Sequence, residues 1–133
     1  MRALVRTADT VWAVDLDEET VLGAADVELP GEPAPEVGLP RVLAAAASGS
    51  TVVAVLDRKP PLALSRDAGT TWSEAGRGLP PGRAIAIRDD DPDTMLYAAR
   101  NRLYLSSDGG RFWAALAPEL PEITGLAWAD DPG

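Results

Sequence analysis

The sequence contains no cysteine and no histidine among its 133 residues. Without cysteine, neither disulfides nor thiolate metal sites are available. Without histidine, the commonest general base, the commonest metal ligand and every Ser–His catalytic pair are missing. We therefore expect no metal ion and no cofactor, and the composition favours a protein without catalytic activity.

Basic residues are also scarce, since 12 Lys and Arg stand against 21 Asp and Glu, for a net charge of −9. This balance argues against a general nucleic-acid binder, because neutralising phosphates requires a basic surface. No apolar run is long enough for a secretory signal or a membrane span. For the chain as it stands, the expectation is a cytoplasmic protein with no nucleic-acid or membrane partner. A truncated chain would leave its location open.

Glycine and proline are abundant, with 12 residues of each, while 46% of the sequence is apolar. The apolar content is sufficient for a core. Frequent glycine and proline suit many short strands joined by turns better than long helices. The length predicts a single domain covering residues 1–133.

A short motif occurs twice, as SRDAGTTW at Ser65–Trp72 and as SSDGGRFW at Ser106–Trp113. Each copy is followed by eight residues that end in Leu-Pro. A degraded third copy lies within residues 15–30, with Asp15 in the first serine place, Asp17 in the aspartate place and Leu22 in the tryptophan place. Such self-similarity at a fixed period is the signature of a repeat architecture.

Each repeat reads as four short antiparallel strands, with the motif between the third and the fourth. This predicts two complete units, at residues 31–80 and 81–121, and a partial unit at residues 1–30. Four strands in about 40 residues are typical of a β-propeller blade. The segment LAAAAS at Leu43–Ser48 favours a helix by propensity, but its alignment with the strand AIAIR at Ala84–Arg88 favours a strand.

The two motifs resemble the Asp-box, S-x-D-x-G-x-x-W, of BNR-repeat proteins, a family that includes sialidase-like, sortilin-like and photosystem assembly factor-like propellers. The resemblance implies an all-β propeller and is nearly silent on function, because this fold hosts enzymes and non-enzymes alike. It also implies that the box is a structural turn on the face opposite the ligand face. The residues assigned to this structural role are Ser65, Asp67, Gly69, Trp72, Ser106, Asp108, Gly110 and Trp113.

Blade geometry predicts an acidic end, which carries the boxes, and an opposite end that carries most of the arginines. The candidate ligand-binding residues on this second end are Arg41, Arg83, Arg58, Arg100 and Arg102. One interpretation is that these arginines are solvated or paired with Asp57 and Glu36. The other is an anion site at the channel mouth, where Arg forks suit carboxylate or phosphate.

The function favoured by these patterns is a non-catalytic scaffold or interaction module with a protein partner. The alternatives are a small-anion or glycan binder at the Arg-rich end and, less well supported, a sialidase-type hydrolase. The resemblance to sialidases would require a tyrosine nucleophile with a glutamate partner. Tyr97 and Tyr104 are the only tyrosines, and neither has a recognisable partner. Glycoside cleavage requires two carboxylates, and Glu36 is the only nearby acid.

The chain ends with a surplus first strand within residues 122–133, and the partial unit at residues 1–30 lacks a first strand. One composite blade, formed from both termini of the same or a neighbouring chain, would bring the total to three. This is fewer than the usual range of about 4–8 blades. We therefore predict a homodimer that closes a six-bladed ring by exchanging residues 122–133. The rival interpretation is that the sequence is part of a longer propeller.

Overall fold

The computed structural model describes residues 1–29 and 35–129, and these residues form β-strands joined by turns and loops. Each strand has three to eight residues, as expected from the spacing of the glycines and prolines. The twelve strands are β1 (Arg2–Arg6), β2 (Val11–Asp15), β3 (Thr20–Ala25), β4 (Val42–Ser48), β5 (Thr51–Leu56), β6 (Leu62–Ser65), β7 (Ser73–Ala75), β8 (Ala84–Arg88), β9 (Asp91–Ala98), β10 (Arg102–Ser106), β11 (Ala114–Glu119) and β12 (Gly125–Trp128).

The strands form three separate four-stranded antiparallel sheets. One sheet, called here blade 2, has the order β4-β5-β6-β7, and another, called blade 3, has the order β8-β9-β10-β11. The remaining sheet, called the composite blade, has the order β12-β1-β2-β3. The all-β prediction is confirmed, and each sheet has the four-stranded form expected of a propeller blade.

The alanine-rich segment forms strand β4 instead of a helix, because pairing with β5 and packing against blade 3 outweigh its helix propensity. Three strands begin at residues other than those the sequence predicts, which were a second strand after the turn Asp89–Asp93 and fourth strands that include Trp72 and Trp113. Strand β9 begins at Asp91, so the preceding turn is shorter than the whole DDDPD segment at Asp89–Asp93. Strands β7 and β11 begin just after Trp72 and Trp113, so neither tryptophan is the first residue of a fourth strand.

The three blades form an arc in the order blade 2, blade 3 and composite blade, with β4 beside β8 and β8 beside β12. Two cores hold the arc together. The junction between blades 2 and 3 buries Val53, Val55 and Leu62 against Tyr97 and other side chains of blade 3. The junction between blade 3 and the composite blade has its own buried core, which contains the residues Ala3, Val5, Val14, Leu96, Leu103 and Leu116.

The composite blade is closed within one chain, because β12 pairs with β1 from Ala3–Trp128 to Arg6–Gly125. From the sequence, either the same chain or a neighbouring one could complete this blade, and in this structure the same chain does so. Exchange of residues 122–133 between two chains stays a prediction. The 26–41 linker from β3 to β4 has the length that closure within one chain requires. It is much longer than the 76–83 and 120–124 connections, so it can join the two ends of the arc.

The inserted segment GEPAPEVGLP at 31–40 lies partly outside the described residues, since the description resumes at Pro35. Val37 and Leu39 from this segment pack on the outer face of blade 2, against Ala54, Leu56 and Ala63. This apolar contact replaces part of the cover that a neighbouring blade would give. The described ranges contain no α-helix with the length and apolar character of a membrane-spanning segment.

Candidate functional site

The turn of the first repeated motif, within Ser65–Trp72 and called here the first box, is held by hydrogen bonds between its own residues. Ser65 is buried, and its Oγ donates to Asp67 Oδ1 at 2.8 Å and accepts from Gly69 N at 2.8 Å. Thr71 donates to the same carboxylate twice, from N to Oδ1 at 2.8 Å and from Oγ1 to Oδ2 at 2.6 Å. A serine and an aspartate at this spacing thus satisfy the backbone donors that the turn would otherwise leave unpaired.

The second box repeats this network with small changes. Ser106 Oγ donates to Asp108 Oδ1 at 2.9 Å and accepts from Gly110 N at the same distance. Asp108 Oδ1 also accepts from Arg111 N and Phe112 N, each at 3.1 Å. Trp113 Nε1 donates to Gly110 O at 3.0 Å, and its ring meets that of Tyr97 edge-on at 5.8 Å in the junction with blade 2.

Each complete motif also binds backbone at the start of the second strand of its own blade. Ala68 N donates at 2.9 Å to the carbonyl of Ser50, which directly precedes β5, and Gly109 N donates at 2.9 Å to the carbonyl of Asp93, near the start of β9. Both donors have positive φ, 58° at Ala68 and 76° at Gly109. The left-handed backbone directs these N–H groups toward the second strand, so the motif ties its own turn to that strand at the acidic end.

The hydrogen bonds from Thr71 and Ser65 lower the pKa of Asp67 from 3.8 to about 2. Bonds from Phe112 N, Ser106 and Arg111 N lower the pKa of Asp108. A carboxyl whose pKa is depressed on folding stabilises the fold above its unfolded pKa. For Asp67 this contribution is complete above about pH 4 and is lost as the pH falls through about 2. Both side chains are thus held as carboxylates near neutral pH.

The degraded third box differs from the alignment made on the sequence. Val14, which lies opposite Ala3, occupies the place that Ser106 occupies opposite Met95. Asp15 instead caps the turn, since its Oδ1 accepts from Asp17 N at 3.0 Å and from Glu18 N at 3.1 Å. Asp17 forms an ion pair with the amino group of Met1. The assignment of Asp15 to the serine place was therefore wrong by one residue.

Two further residues of the degraded box have roles that the alignment could not predict. Glu19, which the sequence alignment with Asp17 in the aspartate place puts in the glycine place, has a positive φ of 52°. Its Oε1 accepts from Ala117 N in blade 3 at 2.8 Å, so the substituted glutamate links two blades. Leu22, in the tryptophan place, is 50% exposed and takes no part in the junction core.

The five candidate arginines all lie at the end of the blades opposite the boxes, but only three of them line one cleft. Arg83, Arg100 and Arg102 border a cleft of about 460 Å³ together with Pro80, Pro81, Tyr104 and Glu119. Arg41 precedes β4 with a φ of 60°, and neither it nor Arg58 lines this cleft. The structure thus brings Arg83, Arg100 and Arg102 together and leaves Arg41 and Arg58 apart.

A second cleft of about 650 Å³ continues the first, because both contain Pro80, Pro81 and Tyr104. It adds two cations, Lys59 and Arg77. We call the combined feature the end groove, and its residues are Lys59, Pro60, Pro61, Arg77, Gly78, Leu79, Pro80, Pro81, Arg83, Ala99, Arg100, Asn101, Arg102, Tyr104 and Glu119.

The cations of the end groove fall into two groups. Arg83 Nη1 lies 3.3 Å from Glu122 Oε1, and Arg102 Nη2 lies 3.4 Å from Glu119 Oε1. Lys59, Arg77 and Arg100 are exposed, and none of them forms an ion pair within residues 1–29 and 35–129. These three cations are therefore free to meet an anionic group.

Two tyrosines give the groove its shape. Tyr97 is fully buried, and its hydroxyl donates to Pro80 O at 2.6 Å, which fixes the loop between blades 2 and 3. Burial raises the pKa of Tyr97. Tyr104 packs edge-on against Tyr97 at 6.1 Å and remains partly exposed in the groove. The sequence showed no recognisable partner for either tyrosine, and it gave no sign that Tyr104 lines a groove.

The groove lacks the groups for glycoside cleavage. Among the described residues that line it, Glu119 is the only acid, and it is paired with Arg102. A second carboxylate across the scissile bond is required by either stereochemical route. Within the same described ranges, no group of three His, Cys, Asp or Glu side chains is placed to hold a metal ion. The described lining of the groove thus combines several cations with a single, already paired carboxylate.

Comparison with known proteins supports the fold. No protein-family model matches the chain, and no curated protein sequence matches it. Among solved structures, YCF48 bound to D1 peptide has a TM-score of 0.52 and 20% identity, over 92% of this chain and 42% of that chain. The GH74 enzyme of Niastella koreensis has a TM-score of 0.48 and 24% identity, over 86% of this chain and 18% of that chain. The chain has the fold of a partial β-propeller and spans less than half the length of either protein.

Proposed function

We propose that this chain is a non-catalytic β-propeller module whose end groove binds an acidic segment of a protein partner. The observation that carries the proposal is the grouping of three unpaired cations, Lys59, Arg77 and Arg100, around a groove of prolines and an exposed tyrosine face. The rest of the protein has a net negative charge. The cationic groove therefore gives this end a charge opposite to that of the whole molecule, which favours an anionic partner.

The dimensions and lining of the groove favour an extended peptide over a small anion. Tyr104 and the pairs Pro60–Pro61 and Pro80–Pro81 offer apolar contacts between the cations. An extended peptide can place side chains on such apolar surface while its carboxylates pair with arginine and lysine. YCF48, which shares the fold, is bound to a peptide in its solved structure, and this supports a peptide as the class of ligand.

We also propose that two copies of the chain associate as a homodimer to form one six-bladed ring. The composite blade and blade 2 stand at the two ends of the arc, and each has an apolar face without a neighbouring blade. Two arcs of three blades would give a ring within the usual range of about 4–8 blades. A well-folded species of mass 13.9 kDa at every concentration would contradict this part of the proposal.

The peptide proposal is tested by fluorescence anisotropy with a labelled acidic peptide that also contains aromatic residues. We expect saturable binding that weakens as salt is added. Arg100→Glu should weaken it by about tenfold or more, a change of roughly 1.4 kcal/mol per factor of ten. Arg58→Glu is the matched control, because Arg58 is exposed at the same end but lies outside the groove.

Other outcomes would contradict the peptide proposal. Equal effects of Arg100→Glu and Arg58→Glu would show that binding depends on overall charge and not on the groove. Binding of sialic acid or dicarboxylates, with no binding of the peptide, would favour the small-anion alternative. Release of product from a fluorogenic sialoside would favour the hydrolase.

A further inference from the structure

The pairing of the strands defines two kinds of blade face, and each junction joins one of each kind. In blade 2, the row Ala46, Val53 and Leu64 points toward blade 3. It meets the row formed in blade 3 by Ile85, Tyr97 and Tyr104. The next junction repeats this pattern, because Leu96 and Leu105 of blade 3 meet a row of the composite blade, formed by Leu126, Val5 and Trp12.

The two ends of the arc carry the two unmatched rows. On the composite blade, Ala127, Leu4 and Ala13 are paired side by side. They correspond to the row of blade 3 that contains Leu96 and Leu105 and faces the next blade. On blade 2, Ala45, Ala54 and Ala63 are paired side by side and correspond to the row Ile85, Tyr97 and Tyr104. The open faces are therefore the two halves of one more junction, which a second copy of the chain can complete.

The open face of blade 2 already has an occupant. Its three row residues are alanines, where blade 3 has an isoleucine and two tyrosines, so this face lacks side-chain volume. Val37 and Leu39 of the 26–41 linker pack there. At the other end of the linker, Leu29 lies beside Gly125 on the open face of the composite blade, since a Cβ on Gly125 would come within 2.9 Å of Leu29 Cδ1.

The 26–41 linker differs from the other two blade connections in the blades that it joins. The 76–83 connection and the 120–124 connection each lead to the adjacent blade. The 26–41 linker leads from the last blade of the arc back to the first. We propose that residues 35–41 of this linker form a strap that covers the open face of blade 2 and must leave it before a second copy can dock its composite blade there.

The strap and a second copy compete for the same alanine row. The row cannot contact Val37 and Leu39 and also the Leu4 row of another chain. The free energy of strap binding is therefore subtracted from that of dimerisation, as for any two mutually exclusive ligands. This inference rests on the proposed ring, but it adds that the chain itself controls when the ring can close.

Light scattering over a concentration series tests the strap with a matched pair of variants. Val37→Asp combined with Leu39→Asp weakens the strap, and Val27→Asp is the control, because Val27 is in the same linker but 52% exposed. We expect the dimer dissociation constant of the strap variant to fall at least about tenfold relative to the control. Leu39→Ala, a milder change, should shift the constant in the same direction by a smaller factor.

A fourth variant locates the docking face. Adding Leu4→Asp to the strap variant should abolish the two-chain species, while circular dichroism verifies that the fold remains. A dissociation constant that is unchanged or higher in the strap variant would overturn the strap while leaving the ring in place. Absence of two-chain species in every variant would overturn both the strap and the ring, and the peptide-binding result would be unaffected.

Discussion

At the scale of single residues, the backbone angle of Ala68 lowers the stability of the first box. It has a φ of 58°, whereas the second box has Gly109 at the equivalent place with a φ of 76°. The left-handed region costs a non-glycine residue about 1–2 kcal/mol. Glycine avoids this cost, but part of the gain is offset because glycine has greater conformational freedom in the unfolded chain. We predict that Ala68→Gly raises the free energy of unfolding by about 0.5–1 kcal/mol.

Urea denaturation at constant pH measures this effect. Ala24→Gly is the matched control, because Ala24 is exposed in strand β3 and has no positive φ. Glycine in a strand interior is unfavourable by roughly 0.5–1 kcal/mol, so the control should be destabilised. Destabilisation of both variants to the same extent would contradict the assigned strain at Ala68.

At the scale of the elements, the connection between blades 2 and 3 depends on a close approach between Gly82 and Tyr97. Gly82 is buried, and a Cβ at this position would overlap the Tyr97 hydroxyl. The same hydroxyl holds Pro80 O, so the ring cannot move away without breaking that bond. We predict that Gly82→Ala lowers the free energy of unfolding by about 1–3 kcal/mol, the usual cost of overpacking.

Gly38→Ala is the control for the overpacking effect, because a Cβ at Gly38 would meet no atom within 4 Å and its φ is not positive. Its stability should remain within about 0.5 kcal/mol of the original chain in the same urea experiment. If Gly82→Ala were equally neutral, the approach of Tyr97 to the connection would not limit this junction.

The strand pattern could be predicted from the sequence because short apolar segments are separated by turns, most of which carry a glycine, proline or aspartate. The alanine-rich β4 was predictable only by its alignment with β8, since its local propensity favours a helix. The degraded box was misaligned by one residue because Asp15 and Asp17 both fit an aspartate-rich turn. Only strand pairing, with Val14 opposite Ala3, determines the register.

The end groove and the strap were less predictable, for a different physical reason. Lys59, Arg77 and Tyr104 lie far apart in the sequence and meet only when the blades are placed side by side. The closure of the composite blade within one chain likewise joins β1 and β12, which lie at opposite ends of the sequence. Loop path and long-range docking leave little periodic signal in a sequence, whereas strands leave a strong one.

At the scale of the whole molecule, the arc contains two junction cores, and blade 3 contributes to both. One core joins blade 3 to blade 2, and the other joins blade 3 to the composite blade. In repeat architectures, stability is approximately a sum of such neighbour terms, so one part can open while another persists. The composite blade is the most exposed to such opening, because β12 and β1 are joined across almost the entire chain.

A chain that ends at residue 121 tests this division. Loss of β12 removes Leu126 and Trp128 from the core and leaves β1 paired on one side only, with β2. We predict that amide hydrogen exchange in β1 and β2 becomes fast, because β1 becomes an edge strand and the core beside both strands loses two large side chains. Exchange in β5 and β9 should stay slow, since the core around Tyr97 contains no residue of the composite blade. The full chain at the same pH and temperature is the control. Loss of protection in all four strands would instead mean that the three blades fold as one cooperative unit, with each junction dependent on the other.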